Sequence, residues 1–308
     1  MGKLSVIIPA YNEEKMIFNI SKIISSLLEN ENIPYELIFV NDGSKDDTWE
    51  KILYVCNQNK NIKGFNFSRN FGKEAAIFAG LTYANGDCCA VIDCDLQHPP
   101  ETLLEMYKKW QEGYEVVEGV KASRGKESFL HKVAAKRFYS FISSATKIDM
   151  SRASDFKLLD RRAVNILRSM PEKHIFFRAL SSWVGFKTTS VEFHVQERNA
   201  GDSKWTTSAL IKYAITNITS FSTAPMQLVT FTGILFLFFS IILGVQSLYK
   251  YFSGQSLEGF TTVVLLLLIV GSVIMLSLGI IGYYIAKIYE ETKNRPRYIV
   301  SEYKNYIN

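Results

Sequence analysis

Cys88-Cys89-Ala90-Val91-Ile92-Asp93-Cys94-Asp95-Leu96-Gln97-His98-Pro99-Pro100-Glu101 decides how the rest of the chain is read. Its first five residues are apolar and bounded by turn formers, the pattern of a short buried strand. Two carboxylates one residue apart follow at the carboxyl end of that strand, where burial is costly unless they hold a cation. A hard divalent ion such as Mg²⁺ or Mn²⁺ takes oxygen ligands and shares them with a substrate's phosphates. The stretch therefore predicts a nucleotide-diphosphate site on Asp93 and Asp95, with the Gln97 amide oxygen in reach of the same ion. The plainer alternative is an Asx turn leading into a helix that starts at Pro99-Pro100. His98 reads as positional, because a lone histidine beside two prolines is more often packed than catalytic.

Working outward, Leu4–Ile8, Glu36–Val40, Lys63–Phe67 and Val116–Val120 are further strand-like runs. Between the first two, Ile17, Ile20, Ile24, Leu27 and Leu28 recur at helical spacing and make one apolar face. Strand and helix in alternation predict parallel βαβ units, an α/β fold with a mostly parallel, Rossmann-like sheet. Ligands of such sheets bind outside the carboxyl ends of the strands. Four polar stretches fall there: Pro9-Ala10-Tyr11-Asn12-Glu13-Glu14, Asn41-Asp42-Gly43-Ser44-Lys45-Asp46, Ser68-Arg69-Asn70-Phe71-Gly72-Lys73 and Asp93–Glu101. Asp42 is placed to accept hydrogen bonds from a base or ribose. A turn in which Ser44 or Asp46 caps a helix would use the same residue types.

Beyond this domain the composition changes. Tyr213–Tyr249 and Phe260–Ala286 contain no Asp, Glu, Lys or Arg, and each exceeds the roughly 20 apolar residues that cross a bilayer. Lys204 and Lys212 precede the first run, and Lys287, Lys293, Arg295 and Arg297 follow the second. The loop between, Lys250–Gly259, has one Lys and one Glu. The positive-inside rule then puts both termini in the cytoplasm and the short loop outside. The expected organisation is a cytoplasmic catalytic domain over 1–204, an interfacial amphipathic helix over 205–226, two spans over 227–287 and a cytoplasmic tail over 288–308. Phe129–Ile148, where Phe129, Val133, Phe138, Phe141 and Ile142 interleave with His131, Lys132, Lys136 and Arg137, reads as a second interfacial helix, with a surface helix packed on the sheet as the plainer alternative.

The net charge of +5 is mild, and its Lys and Arg are mixed with acidic residues rather than gathered in a nucleic-acid footprint. The N-terminal apolar stretch is too short for a signal peptide. Cys56, Cys88, Cys89 and Cys94 lack paired metal-ligand spacing and are expected to be reduced and buried.

Ser5-Val6-Ile7-Ile8-Pro9-Ala10-Tyr11-Asn12-Glu13-Glu14, Val40-Asn41-Asp42-Gly43-Ser44 and Asp93-Cys94-Asp95 resemble glycosyltransferase family two, with its GT-A fold. The fuller Asp93–Glu101 string, Ser68–Lys73 and two C-terminal spans ending in Lys293-Asn294-Arg295-Pro296 resemble its polyprenyl-phosphate branch. That branch holds GtrB-type bactoprenol glucosyltransferases and relatives of dolichyl-phosphate mannose synthase. Cys94 departs from the pattern, since Ala is more usual between the two aspartates.

The resemblance implies inverting transfer of a sugar, glucose first among the candidates, from a UDP-sugar to polyprenyl (undecaprenyl) phosphate at the cell membrane. It implies that Pro9, Tyr11, Asn12, Glu13 and Asp42 hold the nucleoside, and that Asp93 and Asp95 serve the ribose, the diphosphate and a Mg²⁺ or Mn²⁺ ion shared with Gln97. Arg198, Ser203 and Lys204 would lie on a loop that closes over the diphosphate, or else on a plain linker entering the membrane. Asp155 would stand near the acceptor site, orienting the sugar or the nucleophile, or else making a structural salt bridge. Lys121, Arg124 and Lys126 are candidates for the lipid phosphate, or a solvated basic loop. A homo-oligomer, a tetramer, is a further implication. A processive polysaccharide synthase would share the donor loops, yet Gln196-Glu197-Arg198-Asn199 departs from its Gln-x-x-Arg-Trp motif and two spans make a poor polymer channel. A non-catalytic nucleotide-sugar-binding membrane protein would have had freedom to lose Asp93, Asp95, Arg198 and Lys204.

Overall fold

A computed structural model describes residues 1–122, 154–172, 176–194, 224–254 and 259–305. The expected interfacial helices at 129–148 and 205–226 lie outside the described residues. The chain divides into two units: Met1–Trp205 together with Arg295–Asn308, and Thr206–Asn294.

The first unit is built on β1 (Leu4–Ala10), α1 (Ile17–Asn30), β2 (Tyr35–Asn41), α2 (Thr48–Gln58), β3 (Ile62–Phe67), α3 (Lys73–Tyr83), β4 (Cys88–Val91), α4 (Thr102–Gln111) and β5 (Val116–Lys121). It continues with β6 (Lys157–Asp160), α5 (Arg161–Ser169), α6 (Phe177–Trp183) and β7 (Thr188–Phe193), and it closes with β8 (Val300–Lys304). The eight strands form one sheet in the order β7-β5-β6-β4-β1-β2-β3-β8. β1 pairs in parallel with β2 and β4, β2 with β3, and β5 with β7. β6 and β8 supply the antiparallel pairs, β6 against β4 and β5, and β8 against β3.

Near-continuous burial of β1, β2 and β4 suits strands covered on both faces. Helix α1 turns Ile17, Ile20, Ile24 and Leu28 onto the sheet, the face expected from their spacing. Helix α3 approaches more closely: at Gly80 a side chain would collide with Ile7. Helix α4 starts as Pro99-Pro100 suggests, with Thr102 N–H donating to the Pro99 carbonyl at 3.1 Å.

Register aligns the strand ends that matter. Ala10 lies opposite Asn41, Ile7 opposite Val91, and Asn41 opposite Asn66. The four polar loops therefore leave one edge of the sheet side by side. β4 ends at Val91, so both aspartates sit in the turn that follows; Leu96 there has φ of 57°.

In the second unit, α7 (Ala224–Phe252) and α8 (Phe260–Thr292) are long and apolar enough to cross a membrane. α8 outruns its charge-free stretch, because Lys287–Thr292 still form helix. Residues 288–308, expected as a tail, contain the end of α8 and strand β8, which pairs with β3 in the first unit.

Candidate active site

Loop one, after β1, and loop two, after β2, brace each other through side-chain bonds to backbone N–H groups. Asn12, at φ 55°, donates its N–H to Ser44 Oγ at 2.9 Å and accepts from Lys45 N–H through Oδ1 at 2.9 Å. Asparagine tolerates that left-handed conformation better than most residues. Glu13 N–H donates to Thr48 Oγ1 and Glu14 N–H to Asp46 Oδ2. Ser44 and Asp46 thus satisfy the first loop rather than cap their own helix alone.

Loop three, Ser68–Gly72, packs on loop two. Gly43 is held at φ 64°, and a Cβ there would run into the backbone of Arg69 and Asn70. Asp42 receives the Phe71 N–H at 2.7 Å and the Gly72 N–H at 3.0 Å. Burial raises the Asp42 carboxyl above its ordinary range, even though these two amides favour its charge. Asp42 therefore anchors loop three, a role its place in the sequence did not reveal.

Together the loops line an open cavity of about 300 Å³. Pro9, Tyr11, Glu13, Asp42, Asp93 and Asp95, all anticipated from sequence, line it, joined by Asn70, Gly72 and Lys73. Four carboxylates and one ammonium face this space, a poor host for a diphosphate unless a cation joins it. Among the described residues no three His, Cys, Asp or Glu gather as a metal-binding group. Two neighbouring carboxylates nevertheless suit a Mg²⁺-type ion, which completes its shell with phosphate oxygens and water. Gln97 is placed by its N–H, which donates to Asp95 Oδ1 at 3.1 Å. Cys94 between the aspartates is buried.

Behind the cavity lies an ion-pair chain. Lys73 Nζ stands 2.6 Å from Asp93 Oδ1 and 3.0 Å from Asp155 Oδ2. Burial disfavours its ammonium, but the two carboxylates outweigh that and hold it firmly protonated. Arg178 grips Asp155 with both arms of its guanidinium, Nε to Oδ1 at 2.6 Å and an Nη to Oδ2 at 2.8 Å. Burial alone would raise the Asp155 carboxyl. The Arg178 fork and the Lys73 charge reverse this and keep it well below the usual carboxylate range. Glu74, desolvated and beside Asp155, is pushed up to about 7 while it accepts the Phe177 N–H at 2.8 Å.

Helix α6, which carries Arg178, is itself pinned. The Lys157 ammonium, fully buried, donates to Glu118 at 2.7 Å and to Ser181 Oγ at 2.8 Å. His98 is buried too, stacked on Phe156 with centroids 4.7 Å apart, and burial lowers its pKa. Such packing matches the positional reading of that residue. Cys56, Cys88, Cys89 and Cys94 are free thiols, all buried.

Lys121 ends β5 and is exposed, outside the cavity lining. Arg124, Lys126, Arg198, Ser203 and Lys204 lie outside the described residues. Sequence reasoning gave no role to Lys73, Glu74 or Arg178. Lys73 carried a usable signal, since it opens a helix directly after a loop at the ligand edge. Arg178 carried none: its flanks, Phe176-Phe177 and Ala179-Leu180, read as core.

The profile of Glycosyl transferase family 2 matches residues 5–169. The chain is 40% identical over 304 residues to the uncharacterized glycosyltransferase YkcC of Bacillus subtilis, covering 97% of this chain and 93% of that one. It is 36% identical over 305 residues to the prophage bactoprenol glucosyl transferase homolog of Escherichia coli, covering 98% and 99%. Among solved structures, mannosyl-3-phosphoglycerate synthase from Rubrobacter xylanophilus aligns with a TM-score of 0.50 at 15% identity, over 71% of this chain and 73% of that one, a likeness of fold. By the family profile and these full-length relatives, the chain belongs to glycosyl transferase family 2.

Proposed function

We propose that this glycosyltransferase moves glucose, with inversion, from UDP-glucose to undecaprenyl phosphate at the cytoplasmic face of a membrane. The observation that carries the reading is the extent of the likeness to the bactoprenol glucosyl transferases. It runs over 98% of this chain and so takes in the cavity domain and both apolar helices. The four carboxylates at the cavity support a divalent ion there, and the lysine- and arginine-rich flanks of the helices support cytoplasmic termini.

In this reading Pro9, Tyr11, Glu13 and Asp42 bind the nucleoside, with Asn12 holding the loop that presents them. Asp93 and Asp95, with Gln97, would hold Mg²⁺ or Mn²⁺, which when bound supplies Lewis-acid stabilisation of the diphosphate leaving group. Lys73 adds a fixed positive charge on the same side. The acceptor phosphate is already largely a dianion at neutral pH, with a second pKa of about 6, so its oxygen attacks the anomeric carbon without a general base. The new C–O bond forms as the bond to the donor phosphate breaks, and UDP leaves. Asp155, saturated by Arg178 and Lys73, is a poor base and serves as the fixed point that aims Lys73. Lys121, Arg124 and Lys126 would receive the lipid phosphate, and Arg198, Ser203 and Lys204 would close on the diphosphate.

The test is transfer of radiolabel from a panel of UDP- and GDP-sugars to undecaprenyl phosphate in detergent, with Mg²⁺, Mn²⁺ or EDTA. UDP-glucose should label the lipid and EDTA should abolish the labelling. Label entering a polymer, or none entering lipid from any donor, would overturn the proposal.

A further inference from the structure

The first unit is not finished when its seventh strand is laid down. Its last strand comes from beyond α8, so Arg295–Asn305 reaches the sheet only after the whole of Thr206–Asn294 has intervened. This returning segment does more than cover the edge of β3. Just before β8, the Ile299 carbonyl accepts the Ser68 N–H at 3.0 Å, at the first residue of loop three. The Tyr298 ring stacks on Phe67 with centroids 5.1 Å apart and planes 13° apart. Phe67 in turn meets Phe71 edge to face at 5.6 Å, and the Arg69 guanidinium covers the Phe71 ring at 4.1 Å.

Phe71 is where this aromatic chain touches the site. Its N–H and that of Gly72 are the donors that hold Asp42, and Asn70, Gly72 and Lys73 line the cavity. Strand pairing between β3 and β8 is irregular at Asn66/Phe67, so ladder bonds alone do not set the path of the loop. Farther out the segment is fastened independently. Ser301 Oγ donates to the Asn66 carbonyl, Glu302 accepts from Trp49 Nε1 at 2.8 Å, and Asn305 caps the Cys56 and Ile62 carbonyls. Arg297 adds a contact with the Phe78 ring of α3, the helix that Lys73 opens.

We propose that Tyr298 is a positioning residue for the donor pocket: stacked on Phe67, it sets loop three and thereby Asp42 and Lys73. The pocket is then complete only once the chain has passed through both apolar helices and returned. The catalytic part of this claim rests on reading the cavity as the UDP-sugar site, and the geometric part does not.

The experiment uses the full chain in detergent micelles and compares wild type, Tyr298→Ala and Tyr298→Phe. Hydrogen exchange reads the loop directly, UDP titration reads the pocket, and thermal melting reads the fold. In Tyr298→Ala, exchange at Phe71 and Gly72 should quicken about tenfold, the scale of losing one stacked aromatic pair. Amides inside β1 and β2 should keep their protection. UDP affinity should fall by a similar factor, and the KM for donor should rise more than kcat falls. Tyr298→Phe should restore all three. Exchange that quickens evenly across the sheet along with a lower Tm would overturn the proposal, leaving Tyr298 merely structural. Unchanged exchange at 68–72 would overturn it as well. If wild type binds no UDP while Tyr298→Ala still loosens only loop three, the positioning stands and the donor reading fails.

Discussion

The two ends of the same parallel strands treat carboxylates in opposite ways. At the amino end of β2, Glu36 is 1% exposed and fully served: Ser5 Oγ donates at 2.6 Å, Asn85 N–H at 2.6 Å, Lys63 lies at 2.8 Å and Lys3 at 3.1 Å. Burial would raise its carboxyl, but these donors bring it down to about 2. At the carboxyl end, Asp93 pairs with Lys73, stays 30% exposed and faces a cavity that also receives Asp95, Glu13 and Asp42. One end spends its charge on holding three strands together. The other leaves its charge facing a cavity, where a ligand can complete it.

The sharpest way to break this contrast is to neutralise each end. Asp93→Asn and Asp95→Asn should each cost roughly 10²–10³-fold in transfer, the range for removing one electrostatic element from a polar active site. Their melting temperatures should remain close to wild type. A radiolabel assay beside a thermal melt decides it, and full activity in either variant would remove the metal assignment. Glu36→Gln should do the reverse. Stability should fall by about 3 kcal/mol, as expected when one partner leaves a buried ion pair, and UDP affinity of the folded protein should hold. Chemical denaturation checks the first point and titration calorimetry the second.

pH separates the two ends further. Glu36 has a folded-state pKa below its ordinary value of 4.5, so its contribution is present above that value and lost as pH falls toward about 2. Glu74, behind the cavity, has the opposite sign. Its folded-state pKa of about 7 favours the protonated acid, so its contribution is complete below about 4.5 and lost as pH rises through 7. Denaturation between pH 5 and 8 should show stability declining in wild type and a flatter profile in Glu74→Gln. A smaller effect belongs to Arg178→Ala. With its fork gone, Asp155 no longer aims Lys73 firmly, and transfer should slow about tenfold, the lower end of losses from a supporting contact around a site. Smallest of all, Cys94→Ala should leave metal-dependent transfer unchanged, because Cys94 is a buried thiol rather than a ligand.

Much of the ligand edge could be read in advance, and the reason is local. Strands β1, β2 and β4 are short and mostly apolar, α1 and α2 each bury one face, and a parallel sheet places the following loops on one side. Six of the anticipated nucleotide and metal residues line the cavity as a result. What escaped notice depends on pairing across long separations. β6 is four residues with a lysine at its head, Lys157, whose charge is satisfied by Glu118 and the far helix α6. β8 follows both apolar helices and resembles a polar tail until β3 supplies its partner. Arg178 looks like a break in a core helix until Asp155 arrives from another loop. Asp42 lines the cavity, yet the amides it binds belong to a loop nearly thirty residues on.

The measurement that bears most directly on the contrast between the two ends is calorimetric titration of UDP into the wild-type chain, Asp95→Asn and Glu36→Gln, each with Mn²⁺ and with EDTA. Wild type and Glu36→Gln should bind UDP tightly with Mn²⁺ and at least about 100-fold more weakly with EDTA, while Asp95→Asn should bind weakly in both. UDP affinity indifferent to EDTA, or lost equally in Glu36→Gln and Asp95→Asn, would contradict the assignment of ligand charge to the carboxyl end alone.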